Sequence, residues 1–362
     1  MKSLIFVVLI FLFFSSCKSK LPEYNEDTGL LCLDKYTIPP GREGIEVARV
    51  LLVNPDSCSV ILSRDTSGLF EMNESGIIFL KQGKSLGESP SFRYEIEVQC
   101  NDYKKTFELV KDDFIRNKVI AHRGAWKHHD VSQNSVGSLK AGMELGCEAV
   151  EFDVWYSSDN VIVLSHDPVI AGKAVEDTPG EELRKIRLKG DENLPELKEY
   201  LDIIKTGNRT RLVLEIKASQ KGPQRSRELA EAAVRAVHAE KAQAWVEYIS
   251  FSWEAVLKIR ELDPSARIAY LENNKSIEEI KEYGLSGIDY HFTSFYDDST
   301  LIFRAHESGL TTNAWTVNKE EDMQRLLDAG IDYLTTDEPE LLLKVVENDT
   351  LKMGKFGRLP NR

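Results

Sequence analysis

The amino-acid sequence predicts a (β/α)8 TIM-type barrel preceded by a small all-β sandwich. Short strand patterns punctuated by Gly, Pro, Asn and Asp fill the stretch from Leu30 to Val110, and after Lys118 strand patterns alternate regularly with amphipathic helical ones. The 362 residues suffice for one large unit and one small one. A hydrophobic fraction of 42% and a charged fraction of 29% are those of a globular protein with a packed core. The net charge of −13, with no basic stripe, argues against nucleic acid as a partner. Composition leaves the oligomeric state open.

The first residues depart from this character. Lys2 precedes the unbroken apolar run Leu4–Phe14, which is followed by Ser15, Ser16 and Cys17. The run is far shorter than the roughly 20 residues needed to span a bilayer. The segment looks like a bacterial lipoprotein signal, with residues 1–16 removed, Cys17 lipid-modified, and 17–29 a polar tether. The expected location is the cell envelope, the chain exported and held on a bacterial membrane by its lipid. Export permits disulfides, and at most one pair can form among Cys32, Cys58 and Cys100; which pair stays open. Cys147, in an apolar stretch, reads as a buried inert thiol. No cysteines have zinc-site spacing.

In the sandwich, residues 30–112, strands are expected at Val47–Val53, Ser59–Leu62, Ile77–Leu80, Phe92–Cys100 and Thr106–Val110. The stretches Gly68–Ile78 and Phe92–Val98 resemble a cadherin-like repeat without complete calcium motifs. That resemblance implies a sandwich and a spacing or partner-binding role.

In the barrel, residues 117–350, nine strands are expected: Val119–Ala121, Ala149–Val154, Val161–Leu164, Leu212–Ile216, Tyr248–Phe251, Ile268–Leu271, Gly287–Tyr290, Thr312–Val317 and Tyr333–Thr335. The third follows the second after only a turn-like Ser157-Ser158-Asp159-Asn160, leaving no room for a crossover helix, so the two should form an antiparallel hairpin. Eight strands remain for the barrel. Helices are expected at Gln133–Leu145, Leu194–Ile204, Arg227–Val237, Trp253–Leu262, Ile277–Tyr283, Thr300–Ser308 and Glu320–Ala329.

In such a barrel the chemistry sits at the C-terminal strand ends. There the sequence places His122 and Arg123, then Glu151 and Asp153 two apart on one strand face, then His166. A hairpin turn centred between Ser158 and Asp159 would set His166 opposite Glu151. Glu215 and Lys217 share the face of another strand. Val150, Phe152 and Val154 occupy the opposite face, so the acidic face should look into the barrel, where unpaired charge is costly. Three converging carboxylates call for a cation, and oxygen ligands suit calcium or magnesium. Arg123 and Lys217 suit a phosphate, and two histidines suit proton removal and proton donation at a phosphodiester.

The motifs His122-Arg123-Gly124 with Gln133-Asn134-Ser135, Glu151-Phe152-Asp153-Val154, His166-Asp167, Leu214-Glu215-Ile216-Lys217, Ile249-Ser250-Phe251, Trp315-Thr316-Val317-Asn318 and Thr335-Thr336-Asp337-Glu338-Pro339 resemble, in this order, the glycerophosphodiester phosphodiesterase family. The resemblance runs from about residue 118 to 346. It implies a glycerophosphodiester substrate, His122 and His166 as the acid and base pair, and one divalent cation on Glu151, Asp153 and Glu215. Arg123 and Lys217 would contact phosphate and Trp315 the glycerol. Gln133 stands where the family commonly has glutamate, which removes one negative charge; with Asn134 it is expected just behind the contacting residues. Alternatives are a phospholipase D-like or lysophospholipid phosphodiesterase on the same barrel, or a non-catalytic surface binding protein. His128, His129, His238 and His306 read as structural, His291 as a residue that could line the pocket, and Lys217 beside Glu215 could be a plain salt bridge.

Overall fold

The computed structural model describes residues 31–39, 43–52, 59–86, 91–207 and 209–355. The expected signal and the expected anchor at Cys17 lie outside these residues, as does Cys58. Among the described residues no helix is long and apolar enough to cross a membrane.

The N-terminal part forms two four-stranded sheets. One takes the order β1 (Leu31–Leu33), β3 (Glu46–Leu52), β6 (Ile77–Leu80), β5 (Phe70–Met72), and the other β2 (Thr37–Ile38), β8 (Tyr103–Lys111), β7 (Arg93–Cys100), β4 (Val60–Asp65). Strict alternation along β7 sends Tyr94, Ile96, Val98 and Cys100 inward, against Leu31, Val47, Phe70, Ile78 and Leu80 of the first sheet. The five expected strands are present within a few residues. Strands β1, β2 and β5, only two or three residues each, are additional and too short to show a period. Cys100 is disulfide-bonded, whereas Cys32 and Cys147 are reduced and buried, so Cys32 leaves the set of possible pairs. Burial pushes the Cys147 thiol up to about 12, in keeping with an inert core residue.

The second part closes on itself. The parallel strands β9 (Val119–Ala121), β10 (Ala149–Tyr156), β14 (Arg211–Ile216), β15 (Val246–Ser250), β16 (Arg267–Tyr270), β17 (Gly287–His291), β18 (Thr311–Trp315) and β19 (Tyr333–Thr336) pair in this order, and β9 joins β19 to β10. This is the eight-stranded barrel read from the sequence. The helices between strands are α1 (Val136–Leu145), α3 (Leu197–Ile204), α4 (Pro223–Ala239), α5 (Trp253–Leu262), α6 (Ile277–Glu282), the short α7 (Thr293–Asp297), α8 (Leu301–Glu307) and α9 (Glu320–Asp328), and the last strand is followed by α10 (Pro339–Lys355). This last helix was not marked by periodicity. Helix α1 begins later than Gln133 because Asn134 takes a left-handed φ of 55° and Ser135 caps the helix, accepting from Ser138 N.

The short strand β11 (Ile162–Leu164) pairs antiparallel with β10, as the missing crossover requires. Its register differs by one residue from expectation: Leu164 lies opposite Val154 rather than Asp153, and His166 lies beyond the paired region rather than opposite Glu151. The cause is the turn. Ser157 N donates to Val161 O, so three residues rather than two form the loop, with Asn160 at φ 67°. The charged stretch after Pro168 is also more ordered than its composition suggests. It folds as β12 (Val169–Ile170), β13 (Lys173–Ala174) and α2 (Gly180–Leu183), with Val175, Leu183, Ile186 and Leu194 packing on Trp155 and Val163.

The sandwich meets the barrel at the N-terminal ends of its strands. There Phe92 and Phe114 stand edge-on to Trp245 at 6.4 and 6.3 Å, and Lys241 reaches Glu95 at 2.7 Å. The C-terminal mouth is left to the barrel's own loops.

A tight turn after β9 carries the first site residues. Gly124 has φ +83°, and a Cβ there would stand 2.4 Å from Ser138 Oγ and 2.6 Å from that residue's carbonyl carbon. Gly124→Ala is therefore expected to destabilise the protein by more than about 1 kcal/mol. Urea denaturation tests this, and an unchanged midpoint would show that the turn tolerates a side chain.

Candidate active site at the barrel mouth

Parallel pairing of β10 with β14 sets Asp153 beside Glu215, and the strand period of two puts Glu151 on the same inward face. One oxygen from each of these buried residues lies within 4.8 Å of the others. On the other face, Val150, Phe152 and Val154 pack in the main core, as the sequence pattern requires. Burial, then the charges of Asp153 and Glu215, holds the Glu151 carboxyl well above the usual range. Burial and Asp153 push Glu215 up to about 8. Burial also acts upward on Asp153, but Lys217, His166, an Asn134 hydrogen bond and Arg123 outweigh it and hold Asp153 low.

Glu151 Oε1 is buried without a hydrogen-bond partner. An orphaned carboxylate oxygen within a three-carboxylate cluster fits a hard divalent cation bound through oxygen. Gln133 turns from this cluster toward the arginine: its Oε1 accepts from Arg123 Nη1 at 2.8 Å. Asn134 grips Asp153 twice, donating from Nδ2 to Oδ2 at 2.8 Å and accepting from Asp153 N at 3.1 Å. Arg123, at φ 57°, gives its own N–H to Glu151 Oε2 at 2.8 Å. Lys217 Nζ lies 3.2 Å from Asp153 Oδ1 and 2.8 Å from Glu215 Oε1. The salt bridge and the cavity position of Lys217 thus coexist.

The mouth encloses a cavity of about 130 Å³ lined by His122, Arg123, Glu151, His166, Glu215, Lys217 and Trp315, together with Ile249, Phe251, Leu271, Asp289, Thr316 and Thr335. Both histidines named from the sequence face it. His122 Nδ1 is 2.7 Å from Asp337 Oδ1, and its Nε2 accepts from Arg123 Nε at 3.2 Å, so the proton resides on Nδ1. Asn318 Nδ2 donates to the other Asp337 oxygen at 2.8 Å. Burial raises Asp337, but the hydrogen bond and charge of His122 outweigh it and hold the carboxylate low. His166 Nδ1 is 2.8 Å from Asp167 Oδ1, and burial lowers the imidazole below its ordinary value. Trp315 donates from Nε1 to Asp289 O at 2.9 Å and meets Phe251 edge-on at 5.6 Å.

Four of the other histidines behave as read, whereas His291 does not line the cavity. His128, His129, His238 and His306 each pair with a carboxylate, of Glu338, Glu340, Asp263 and Asp332 respectively. His291 stays on the exposed rim, bonded to Thr293 and 5.2 Å from the Trp315 ring. Sequence reasoning passed over Asp337, Asn318 and Asp289. The first two stand inside quoted motifs, which was a usable signal. Asp289 had none beyond its place in a strand.

A barrel with acidic, basic and imidazole groups gathered at its C-terminal mouth defines an enzyme of the (β/α)8 class. Residues 122–341 match the model of the glycerophosphoryl diester phosphodiesterase family, and the chain belongs to that family. It is 28% identical over 248 residues to a glycerophosphodiester phosphodiesterase of Caldanaerobacter subterraneus, a match covering 64% of this chain and 98% of the relative. The crystal structure of a glycerophosphodiester phosphodiesterase from Parabacteroides distasonis superposes with a TM-score of 0.63 at 36% identity, covering 64% of this chain and 98% of that one. An Oleispira antarctica phosphodiesterase in complex with the product sn-glycerol-3-phosphate shares the fold, with a TM-score of 0.56 at 23% identity over 64% of this chain and 96% of that one.

Without a cation, deprotonating the raised Glu215 disfavours the fold. The carboxyl binds its proton more tightly folded than unfolded, so this contribution is present below its ordinary 4.5 and is lost as pH rises toward about 8. Stabilisation by a divalent ion should therefore grow between pH 6 and pH 8, reaching about 2.7 kcal/mol at a hundredfold excess over Kd. Thermal melts with calcium, magnesium or chelator test this; equal shifts at both pH values would contradict it.

Proposed function

We propose that this protein hydrolyses glycerophosphodiesters to glycerol 3-phosphate and an alcohol, from a lipid-anchored position in the cell envelope. The observation that carries the chemistry is one cavity lined by two carboxylate-tethered histidines, an arginine, a lysine and two members, Glu151 and Glu215, of a three-carboxylate cluster completed by Asp153, in a chain of this family.

Glu151, Asp153 and Glu215 would hold one Ca2+ or Mg2+ ion. Such an ion, when bound, neutralises non-bridging phosphate oxygens and lowers the pKa of a nucleophilic hydroxyl. Arg123 and Lys217 present positive charge to the phosphate, Arg123 held by Gln133 and Lys217 by Asp153. One histidine takes the proton of the attacking hydroxyl and the other protonates the departing alkoxide. Burial lowers the basicity of His166, so its protonated form gives up a proton readily. Asp337, bonded to Nδ1 of His122, fixes that ring with Nε2 toward the cavity. Trp315 closes one side of the cavity against the glycerol moiety.

Purified protein is expected to release glycerol 3-phosphate from a panel of glycerophosphodiesters in a chelator-sensitive reaction, with lysophospholipids as the competing class. His122→Ala and His166→Ala should each remain folded and lower turnover by at least about 10²-fold. Near-normal turnover in either variant removes the two-histidine mechanism.

The anchor rests on Lys2, Leu4–Phe14 and Cys17. Cys17→Ala should leave an unlipidated precursor whose barrel keeps its activity. Mass spectrometry of the mature protein from its native host decides this: the absence of a lipid adduct at Cys17 ends the anchor proposal.

A further inference from the structure

Asp289, on β17, takes no part in the chemistry proposed above. It is 2% exposed, lines the mouth cavity, and has no hydrogen-bond partner at Oδ1. Among the described residues no cation pairs with it, in contrast to Asp153, which has Lys217 and Arg123. Asn313 stands directly opposite in the β17–β18 register and donates from Nδ2 to Thr335 Oγ1 at 2.9 Å. The neighbouring cavity wall is apolar: Ile249, Phe251, Leu271 and Trp315. Burial pushes the Asp289 carboxyl up to about 7.

A carboxyl oxygen left unpartnered in such a wall is destabilising. A ligand group that donates to this oxygen completes the missing hydrogen bond. The opposite strands β10 and β14 carry the carboxylate cluster and Lys217, and so take the phosphate end of a ligand. The part of the ligand beside Trp315 and Asp289 must therefore be compact, largely apolar and able to donate a hydrogen bond. A carbon chain bearing hydroxyls meets all three conditions. A quaternary ammonium has no N–H to give.

We propose that Asp289, opposite Asn313 in the β17–β18 pair, is the hydroxyl-recognising residue of the mouth, accepting a hydrogen bond from the glycerol hydroxyls and setting preference for polyol phosphates over deoxy ones. This rests on the reading of the protein as a glycerophosphodiester hydrolase. A site built to bond a hydroxyl discriminates strongly against the analogue that lacks it, because its own buried group is then left unpaired.

The test is calorimetric titration of the full protein, supplied with calcium or magnesium, with sn-glycerol 3-phosphate and with propyl phosphate. The wild type should favour the glycerol compound by at least about 10-fold. Asp289→Leu should bring that preference to about 1, and the isosteric Asp289→Asn should leave an intermediate value. The ratio within one protein is independent of the folded fraction, so partial misfolding does not obscure it. A preference unchanged in Asp289→Leu overturns the proposal, as does a wild type that binds both compounds equally. Hydrolysis of glycerophosphocholine by the wild type, measured in parallel, separates the two failures. Turnover with no effect of Asp289 sinks only the hydroxyl assignment, whereas no turnover and no binding of either phosphate sinks the underlying function as well.

Discussion

Like charge buried in a small volume is the constraint around which the barrel mouth is organised. Glu151, Asp153 and Glu215 bring carboxylate oxygens within 4.8 Å of one another in a place nearly closed to water. Each neighbour answers that cost. Lys217 bridges Asp153 and Glu215, Asn134 donates to Asp153, and the backbone N–H of Arg123 serves Glu151. Two of these supporting residues, Arg123 and Asn134, sit at positive φ. The backbone bends to deliver their hydrogen bonds, at the cost that non-glycine residues incur in that region.

The two histidines are held by a parallel device. Each gives its Nδ1 side to a carboxylate, His122 to Asp337 and His166 to Asp167, which turns Nε2 of each ring away from that carboxylate. The supports differ in quality. Asp337 is itself fixed by Asn318 through its side chain and its own backbone N–H, while Asp167 is an exposed neighbour in the chain. His122 is accordingly the more rigidly aimed of the pair, and the arginine beside it is braced by Gln133. A glutamine suffices for that bracing. Its position against Arg123 means that the charge missing at residue 133 acts first on the guanidinium.

The sandwich docks on the strand ends remote from this chemistry, through Trp245, Phe92 and Phe114. An apolar contact at that end leaves the mouth to the barrel's own loops. The insertion after β11 is on the mouth side instead. Its small core around Trp155 and Val163 keeps the backbone next to His166 in place, and Trp155 Nε1 donates to His166 O at 3.3 Å.

Local periodicity determined a great deal of this protein. Alternation of strand and helix fixed eight barrel strands, a hairpin arm was marked by a connection too short for a crossover, and residues two apart marked the acidic face of β10 and the Glu215–Lys217 face of β14. These properties are legible because they repeat over a few residues. The structure alone decided the contacts made between strands. The register of β10 against β14 sets Asp153 beside Glu215, and a three-residue turn rather than a two-residue one moves His166 off its expected partner. Barrel closure brings His122 to Asp337 from 215 residues away, and the β17–β18 register sets Asp289 opposite Asn313. Strand pairing and closure are settled by the packing of the whole barrel, so no stretch of sequence short enough to show a period can contain them.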